Sequence, residues 1–256
     1  MATEELNLVV MNAGGPGNAE NRRKGIAKVL KKKKPLLVFM QEFNCNKLHE
    51  GRWGSLKVPH CYQCVGDGDV GFVYDTDKIT LTRYDNKKCV TRMHKQLCKH
   101  SHVKNYAELS RMCIYVMESK GAPSYKLLVI SWHGHHKCAD TVKEEVVRLF
   151  CKFIILLEGK YRLPVIVGGD FNLKATSVEK CLHEDLHVIK PSESAIDMLL
   201  VHKDVSKITA MGQLEKIMWK TGKVEETFNH VPLKIAFHPK VSIEDRLSSL
   251  SLSQNK

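Results

Sequence analysis

The sequence has no apolar run long enough to cross a bilayer. Runs such as Leu36–Met40 fall far short of the roughly 20 residues that a membrane helix needs. It also has no secretory pattern at its start. Residues 1–11, MATEELNLVVM, begin acidic and carry neither a basic flank nor a small-residue cleavage site. A second Cys-x-x-Cys is missing too. Cys61-Tyr62-Gln63-Cys64 has metal-ligand spacing, and Cys89, His94, Cys98, His100 and His102 follow, but the set fits no common zinc module. The nine cysteines therefore read as reduced thiols, and the chain as cytoplasmic or nuclear rather than secreted. No internal repeat and no interdomain linker are visible. Residues 1–240 read as one domain and residues 241–256, polar and Ser-rich, as a disordered tail.

Acids are also in short supply. Lys and Arg number 40 against 28 Asp and Glu, a formal charge of +12. On a folded chain that excess favours polyanionic partners, nucleic acid first and an anionic membrane surface second. Two segments concentrate it. Arg22-Arg23-Lys24 and Lys31–Lys34 could form a two-part nuclear address, but apolar spacing at Ile26, Val29 and Leu30 explains them as the solvated face of a helix. Arg83–Lys104 carries Arg83, Lys87, Lys88, Arg92, Lys95, Lys99 and Lys104 against the single acid Asp85. It reads as a basic loop and a candidate patch for a nucleic-acid backbone. Trp53, Trp132 and Trp219 are candidates for base stacking, with core packing as the default for each.

What is present is an alternation of strands and helices. Leu6–Met11, Leu36–Met40, Val70–Tyr74, Arg111–Met117, Tyr125–Trp132, Pro164–Val167, Ala195–Val201 and Val231–Phe237 read as strands. Asn18–Lys34 and Thr141–Leu157 read as helices. Hairpin-like pairs and strand–helix–strand units both occur, the pattern of a mixed α/β (α+β) protein.

One event recurs along this alternation. An apolar strand ends and a proton-handling or metal-binding side chain follows: Asn12, Glu42, His133, then Asp170 and Asn172 after Gly168-Gly169. Asp197 lies inside a strand, and His230 precedes one. Strand ends meet at sheet edges, so these residues can converge. Together they suit phosphoryl transfer: Glu42 and Asp197 for a hard divalent cation, Asp170 to activate water, and Asn12, Asn172 and His230 to donate to the phosphate. Gly168 and Gly169 would turn the chain tightly and leave room for a phosphate. The plainer alternatives are a turn at Asp170-x-Asn172, a loop cap at Asn12, and a solvated His-rich loop at His133-Gly134-His135-His136.

In this order the segments LNLVVMNAGG, LLVFMQEFN, GFVYDTDKI, LLVISWHGH, VIVGGDFNL, AIDMLLV and FNHVPL resemble the endonuclease/exonuclease/phosphatase superfamily over about residues 6–238. The resemblance implies a four-layer sandwich, two packed mixed β-sheets flanked by helices. It also implies a Mg²⁺-dependent phosphodiesterase (Mn²⁺ as an alternative ion), most simply a nuclease acting on DNA or RNA by in-line attack of water. Matched position by position, Glu42 would hold the metal and Asn12 would serve the metal or the phosphate. Asp170 would orient water, Asn172 would bind phosphate, Asp197 would pair with His230, and His133 would assist the leaving group. The chain departs from the pattern at Phe228-Asn229-His230, where the family has Ser-Asp-His. Asn229 keeps an oxygen for the metal but loses the charge. That leaves two alternatives: a phosphoinositide-type phosphatase of the same fold, or a catalytically weakened member that binds nucleic acid or protein.

Overall fold

The computed structural model describes residues 6–14, 20–43, 58–83, 87–99, 101–103, 107–121, 124–218, 228 and 230–240. Asn229, Lys104, Trp53, Trp219, His100 and the tail 241–256 lie outside these residues.

Among the described residues, thirteen strands build two sheets. β1 (Leu6–Asn12), β2 (Leu37–Gln41), β3 (Tyr62–Asp67), β4 (Val70–Asp75), β11 (Thr209–Met211), β12 (Glu215–Lys216) and β13 (Leu233–Pro239) form one, in the order β11-β13-β1-β2-β4-β3 with β12 beside β13. The other is β5 (Ile79–Arg83), β6 (Met112–Ser119), β7 (Lys126–His133), β8 (Val165–Asp170), β10 (Asp197–His202) and β9 (Leu186–Ile189), in that order. β1–β2 and β7–β8 are parallel and their other neighbours antiparallel, so both sheets are mixed. Five helices complete the described chain: α1 (Glu20–Lys33), α2 (Lys87–Cys98), α3 (Asp140–Tyr161), α4 (Ala175–Glu179) and α5 (Val205–Ile208). None of them is long and apolar enough to cross a membrane.

The period of two along the strands sorts their side chains into layers. Leu8 and Val10 of β1 face the second sheet, in a cluster with Phe39, Phe72, Val129, Ile166 and Leu199. Val9 and Met11, one residue out of phase, pack under α1 with Ile26, Leu30, Val38 and Met40. On the far side, Leu128, Ile130, Trp132, Val165 and Val167 are covered by Phe150, Phe153 and Ile154 of α3 and by Val90 and Cys98 of α2. Strands buried on both faces read as continuous apolar runs, which is why the central ones were legible. The helix ends are marked in the sequence as well. Lys34 (φ 44°) closes α1 in the left-handed region, its N–H donating to Leu30 O at 3.1 Å, and Pro35 follows. Arg162 (φ 52°) closes α3 in the same way, two residues before Pro164.

Three expectations need correction. Within the segment 83–104, residues 87–98 are not a basic loop. They form α2, whose apolar positions Val90, Met93, Leu97 and Cys98 pack inward beneath the charges. Gly168 and Gly169 do not form a turn either. Both lie within β8, where a Cβ on Gly168 would strike the Phe39 ring of the facing sheet and one on Gly169 the backbone carbonyl of Trp132. These glycines let two sheets and two strands approach closely; they do not open space for a ligand. Trp132 offers no stacking platform. It is buried and stacks on Phe150, centroids 4.1 Å apart. Of the cysteines with possible metal-ligand spacing, Cys64 is a core residue of β3, while Cys98 lies in α2 over the other sheet, its Sγ 3.7 Å from His94 Nε2.

Candidate active site

Register places the candidate residues at one end of the sandwich. In the second sheet His133 is paired with Asp170 across β7 and β8, and Asp170 with Asp197 across β8 and β10. Three titratable side chains thus stand in a row on adjacent strands. In the first sheet, Asn12 pairs with Gln41 across β1 and β2, so Asn12 and Glu42 end neighbouring strands. β13 runs antiparallel to β1, with Val10 opposite Leu233, which brings the preceding residues, His230 among them, to the same end.

The two sheets are joined here by side chains. Asn12 Nδ2 donates to Asp170 Oδ2 at 2.8 Å and to Glu42 Oε1 at 3.2 Å, while its Oδ1 accepts from the Gly14 N–H at 2.7 Å. Asn12 therefore bridges two acids with its amide nitrogen. Behind it, Gln41 Nε2 donates to Ser131 Oγ at 2.9 Å, and Ser131 Oγ donates to Met40 O at 2.9 Å, a buried polar tie from β2 to β7. Asp170 Oδ1 accepts from the Asn172 N–H at 2.8 Å, and Asn172 Nδ2 donates to Gly134 O at 3.0 Å. Glu42 (φ 51°) and Asn172 (φ 50°) both take the left-handed conformation. That costs about 1–2 kcal/mol for a residue with a Cβ, less for Asn. The hydrogen bonds around Asn172 hold it there.

Asp170 is 1% exposed. Burial first, and then the Asp197 carboxylate, raise its pKa from 3.8 to about 6 against the opposing pull of His230 and its two amide donors. His230 Nδ1 lies 2.8 Å from Asp197 Oδ2 and 3.7 Å from Asp170 Oδ2. The Asp197 contact outweighs burial and raises the imidazole from 6.5 to about 9, so it is cationic at neutral pH. His133 goes the other way. Burial, and then the Arg111 guanidinium, lower it to about 3, so it is neutral. Its Nε2 is 3.5 Å from Glu42 Oε1, and among the described residues neither ring nitrogen has a hydrogen-bond partner. A groove of about 270 Å³ opens beside Asp197 and His230, bordered by Ser192, Ser194 and Lys216.

Asn12, Glu42, His133, Asp170, Asn172, Asp197 and His230 are all brought together. Of the basic candidates, Arg83 pairs with Asp67, and Lys88, Arg92, Lys95 and Lys99 are exposed on or next to α2, outside this cluster. Sequence reasoning missed Arg111. This half-buried guanidinium donates through Nε to His133 O at 2.6 Å and through Nη2 to Gly134 O at 2.7 Å. It braces the turn on which His133 and Asn172 depend. Its only mark in the sequence is a cation at the mouth of an apolar strand.

Two sets of side chains here could hold a metal ion: Glu42, His133 and Asp170, and Asp170, Asp197 and His230, with ligand atoms within 4.8 Å of one another in each. The first set fits a hard divalent cation better. It combines two carboxylates with a neutral imidazole whose ring nitrogens have no hydrogen-bond partner among the described residues, whereas the second contains a cation already.

No family model matches the sequence, and no curated protein does. Solved structures do. The chain is similar to an endonuclease/exonuclease/phosphatase family protein from Bacteroides thetaiotaomicron at TM-score 0.64 and 14% identity, over 91% of this chain and 97% of that one. It is similar to the mannosyl-6-phosphatase Bt3783 of the same organism at TM-score 0.64 and 16% identity, over 91% and 99%. It is also similar to D. rerio TDP2 complexed with a single-strand DNA product, at TM-score 0.59 and 13% identity, over 92% and 100%. With two packed mixed sheets and flanking helices, this chain has the fold of the endonuclease/exonuclease/phosphatase proteins.

Proposed function

We propose that this protein is a metal-dependent hydrolase of phosphate esters, acting on the phosphodiester bonds of DNA or RNA. One observation carries the reading: Asp170, raised to about 6, and His230, raised to about 9, face each other as carboxylate and imidazolium at neutral pH, beside Glu42 and Asn12 where two sheets meet.

Asp170, with a pKa near neutrality, takes the proton from an attacking water. Cationic His230 lies against charge gathering on the phosphoryl oxygens as the new P–O bond forms and the ester P–O bond breaks, and Asp197 holds its ring and its charge. Asn172 donates to the phosphate. Neutral His133 serves the departing oxygen as an N–H donor. Glu42, with Asn229 from the segment before His230, would hold Mg²⁺ or Mn²⁺ beside Asp170 and His133. Such an ion neutralises charge on phosphoryl oxygens. Asn12 keeps Glu42 and Asp170 close despite their like charges.

The net charge of +12 and the DNA carried by the TDP2 neighbour support a nucleic-acid substrate. The mannosyl-6-phosphatase neighbour favours a second reading, a phosphomonoesterase. The test is cleavage of single-stranded DNA and RNA with Mg²⁺, beside release of phosphate from a soluble phosphoinositide headgroup. Asp170→Ala and His230→Ala should each abolish the activity, and cleavage that survives both refutes the site. Asn229→Asp separates an active enzyme from a weakened one: activity appearing only in that variant would show that the wild-type cleft binds without cutting.

A further inference from the structure

α2 and the residue after it carry a basic stripe that the cleft does not use. Lys88, Arg92, Lys95 and Lys99 are all exposed. Their spacing of 4, 3 and 4 residues puts them within about 60° of arc on one side of the helix, at about 100° per residue. The opposite side is committed to the core through Val90, Met93, Leu97 and Cys98. Residues 87–99 include no Asp or Glu. Among the described residues none of the four cations has a carboxylate partner, whereas Arg83, nearby, is taken up by Asp67. The stripe spans about 16 Å at 1.5 Å per residue. A nucleic-acid strand presents about five phosphates over that length at 3.4 Å each.

The position of the helix matters as much as its charge. α2 lies over Trp132, the residue before His133, and Val90 borders a groove with Leu109 and Met112, on either side of Arg111. The stripe is thus about one helix diameter, roughly 10 Å, from Trp132, the residue that precedes His133 of the cleft.

We propose that this stripe is a docking ridge for the sugar–phosphate backbone of a nucleic-acid strand, holding it sequence-independently where it leaves the cleft. The inference rests on the phosphodiester reading above but is tested by binding alone. A membrane surface fits the ridge less well. The exposed large apolar side chains among the described residues are Leu156, on α3, and Met218, so α2 offers nothing to insert between lipids.

The experiment is fluorescence anisotropy with labelled single-stranded DNA and RNA of one sequence. It is run in chelator, so that no strand is cut, over a series of salt concentrations. The test variant is Lys88→Gln/Arg92→Gln/Lys95→Gln/Lys99→Gln. The control, Lys31→Gln/Lys32→Gln/Lys33→Gln/Lys34→Gln, removes the same charge from the end of α1. Four lost phosphate contacts should flatten the plot of log K against log[salt] by about 3, at 0.7 per contact, and weaken binding several hundredfold at about 0.1 M salt. DNA and RNA should respond alike, and the control variant should keep the wild-type slope. An unchanged slope in the test variant overturns the ridge, as does an equal loss in the control. Wild-type binding to phosphatidylserine vesicles through these four residues, without oligonucleotide binding, also overturns it. If strands bind through the ridge and wild-type protein with Mg²⁺ cuts none, the hydrolase reading fails and the ridge stands.

Discussion

Asp170 should make this protein less stable than it would be without that charge. The side chain is 1% exposed and shares its surroundings with Asp197. Its pKa rises from 3.8 to about 6 on folding. Below pH 3.8 the group is protonated in both states and contributes no difference. As pH climbs from 3.8 to about 6, the unfolded chain releases its proton first, and the folded state loses stability. Above about 6 the loss is constant. At 1.36 kcal/mol per pH unit, the gap amounts to about 3 kcal/mol. Asp170→Asn removes it. The new amide keeps an oxygen for the Asn172 N–H, but its nitrogen meets Asn12 Nδ2, donor against donor. Rotating Asn12 would sacrifice its bond from Gly14, so about 1 kcal/mol is returned. The net gain is about 2 kcal/mol, or about 4–8 °C in Tm for a chain of this size. Thermal unfolding followed by circular dichroism in chelator should show that gain at pH 8 and none at pH 4. Adding Mg²⁺ should reverse the order. A cation bound only by the folded wild type stabilises it by about 2.7 kcal/mol at a hundred times Kd. A variant that melts at or below the wild type at pH 8 in chelator refutes the electrostatic account of Asp170.

His230 should titrate near 9 by NMR in the metal-free protein, and Asp197→Asn should return it toward its ordinary value, because that contact is the main cause of the rise. The alkaline loss of activity, where the imidazolium gives up its proton, should move to lower pH in the same variant; a limb that stays in place argues against His230 as the cation. Arg111→Ala leaves the His133 and Gly134 carbonyls without their charged donor. It should lower stability by about 2–4 kcal/mol in denaturant titrations and turnover by about tenfold, with Arg111→Lys recovering only part because an ammonium cannot reproduce the guanidinium fork. Gly169→Ala should cost at least about 3 kcal/mol, since its Cβ would overlap the Trp132 carbonyl. Gly159→Ala on α3 meets nothing within 4 Å and should be neutral or stabilise by about 0.5–1 kcal/mol.

The central strands and the chemistry at their ends were legible for one reason. A strand covered on both faces is a short apolar run, and a polar residue that ends it stands out, as Glu42 does after Leu36–Met40. Edge elements lack that contrast. β3, with its Tyr62, Gln63 and Cys64, alternates weakly in sequence, and Cys64 packs in the core beside Tyr62. α2 was hidden by its own charges, because four cations among twelve residues look like a loop until the spacing of Val90, Leu97 and Cys98 is followed. Arg111 and the Gln41–Ser131 tie were invisible for a different reason. They act on backbone carbonyls and on the opposite sheet, so only the packing of the sheets reveals their partners.

The departure from the family pattern at Phe228-Asn229-His230 can now be divided. Phe228, where the resemblance expects Ser, is 1% exposed and packs in the cluster under α1 with Val9, Met11, Ala13 and Phe43. Two of those neighbours, Ala13 and Phe43, adjoin the site residues Asn12 and Glu42. An aromatic ring inserted there ties the segment carrying His230 to the ends of β1 and β2. It fixes by packing what a small polar residue would leave to hydrogen bonds. The change at Phe228 is thus consistent with an ordered His230, whose ring meets Asp197 at 2.8 Å. It gives no reason to expect the cleft to be idle. Doubt about catalysis rests on Asn229 alone, through the charge it withholds from a cation. Asn229→Asp is therefore the decisive substitution, because it restores that charge and leaves the Phe228 anchor intact.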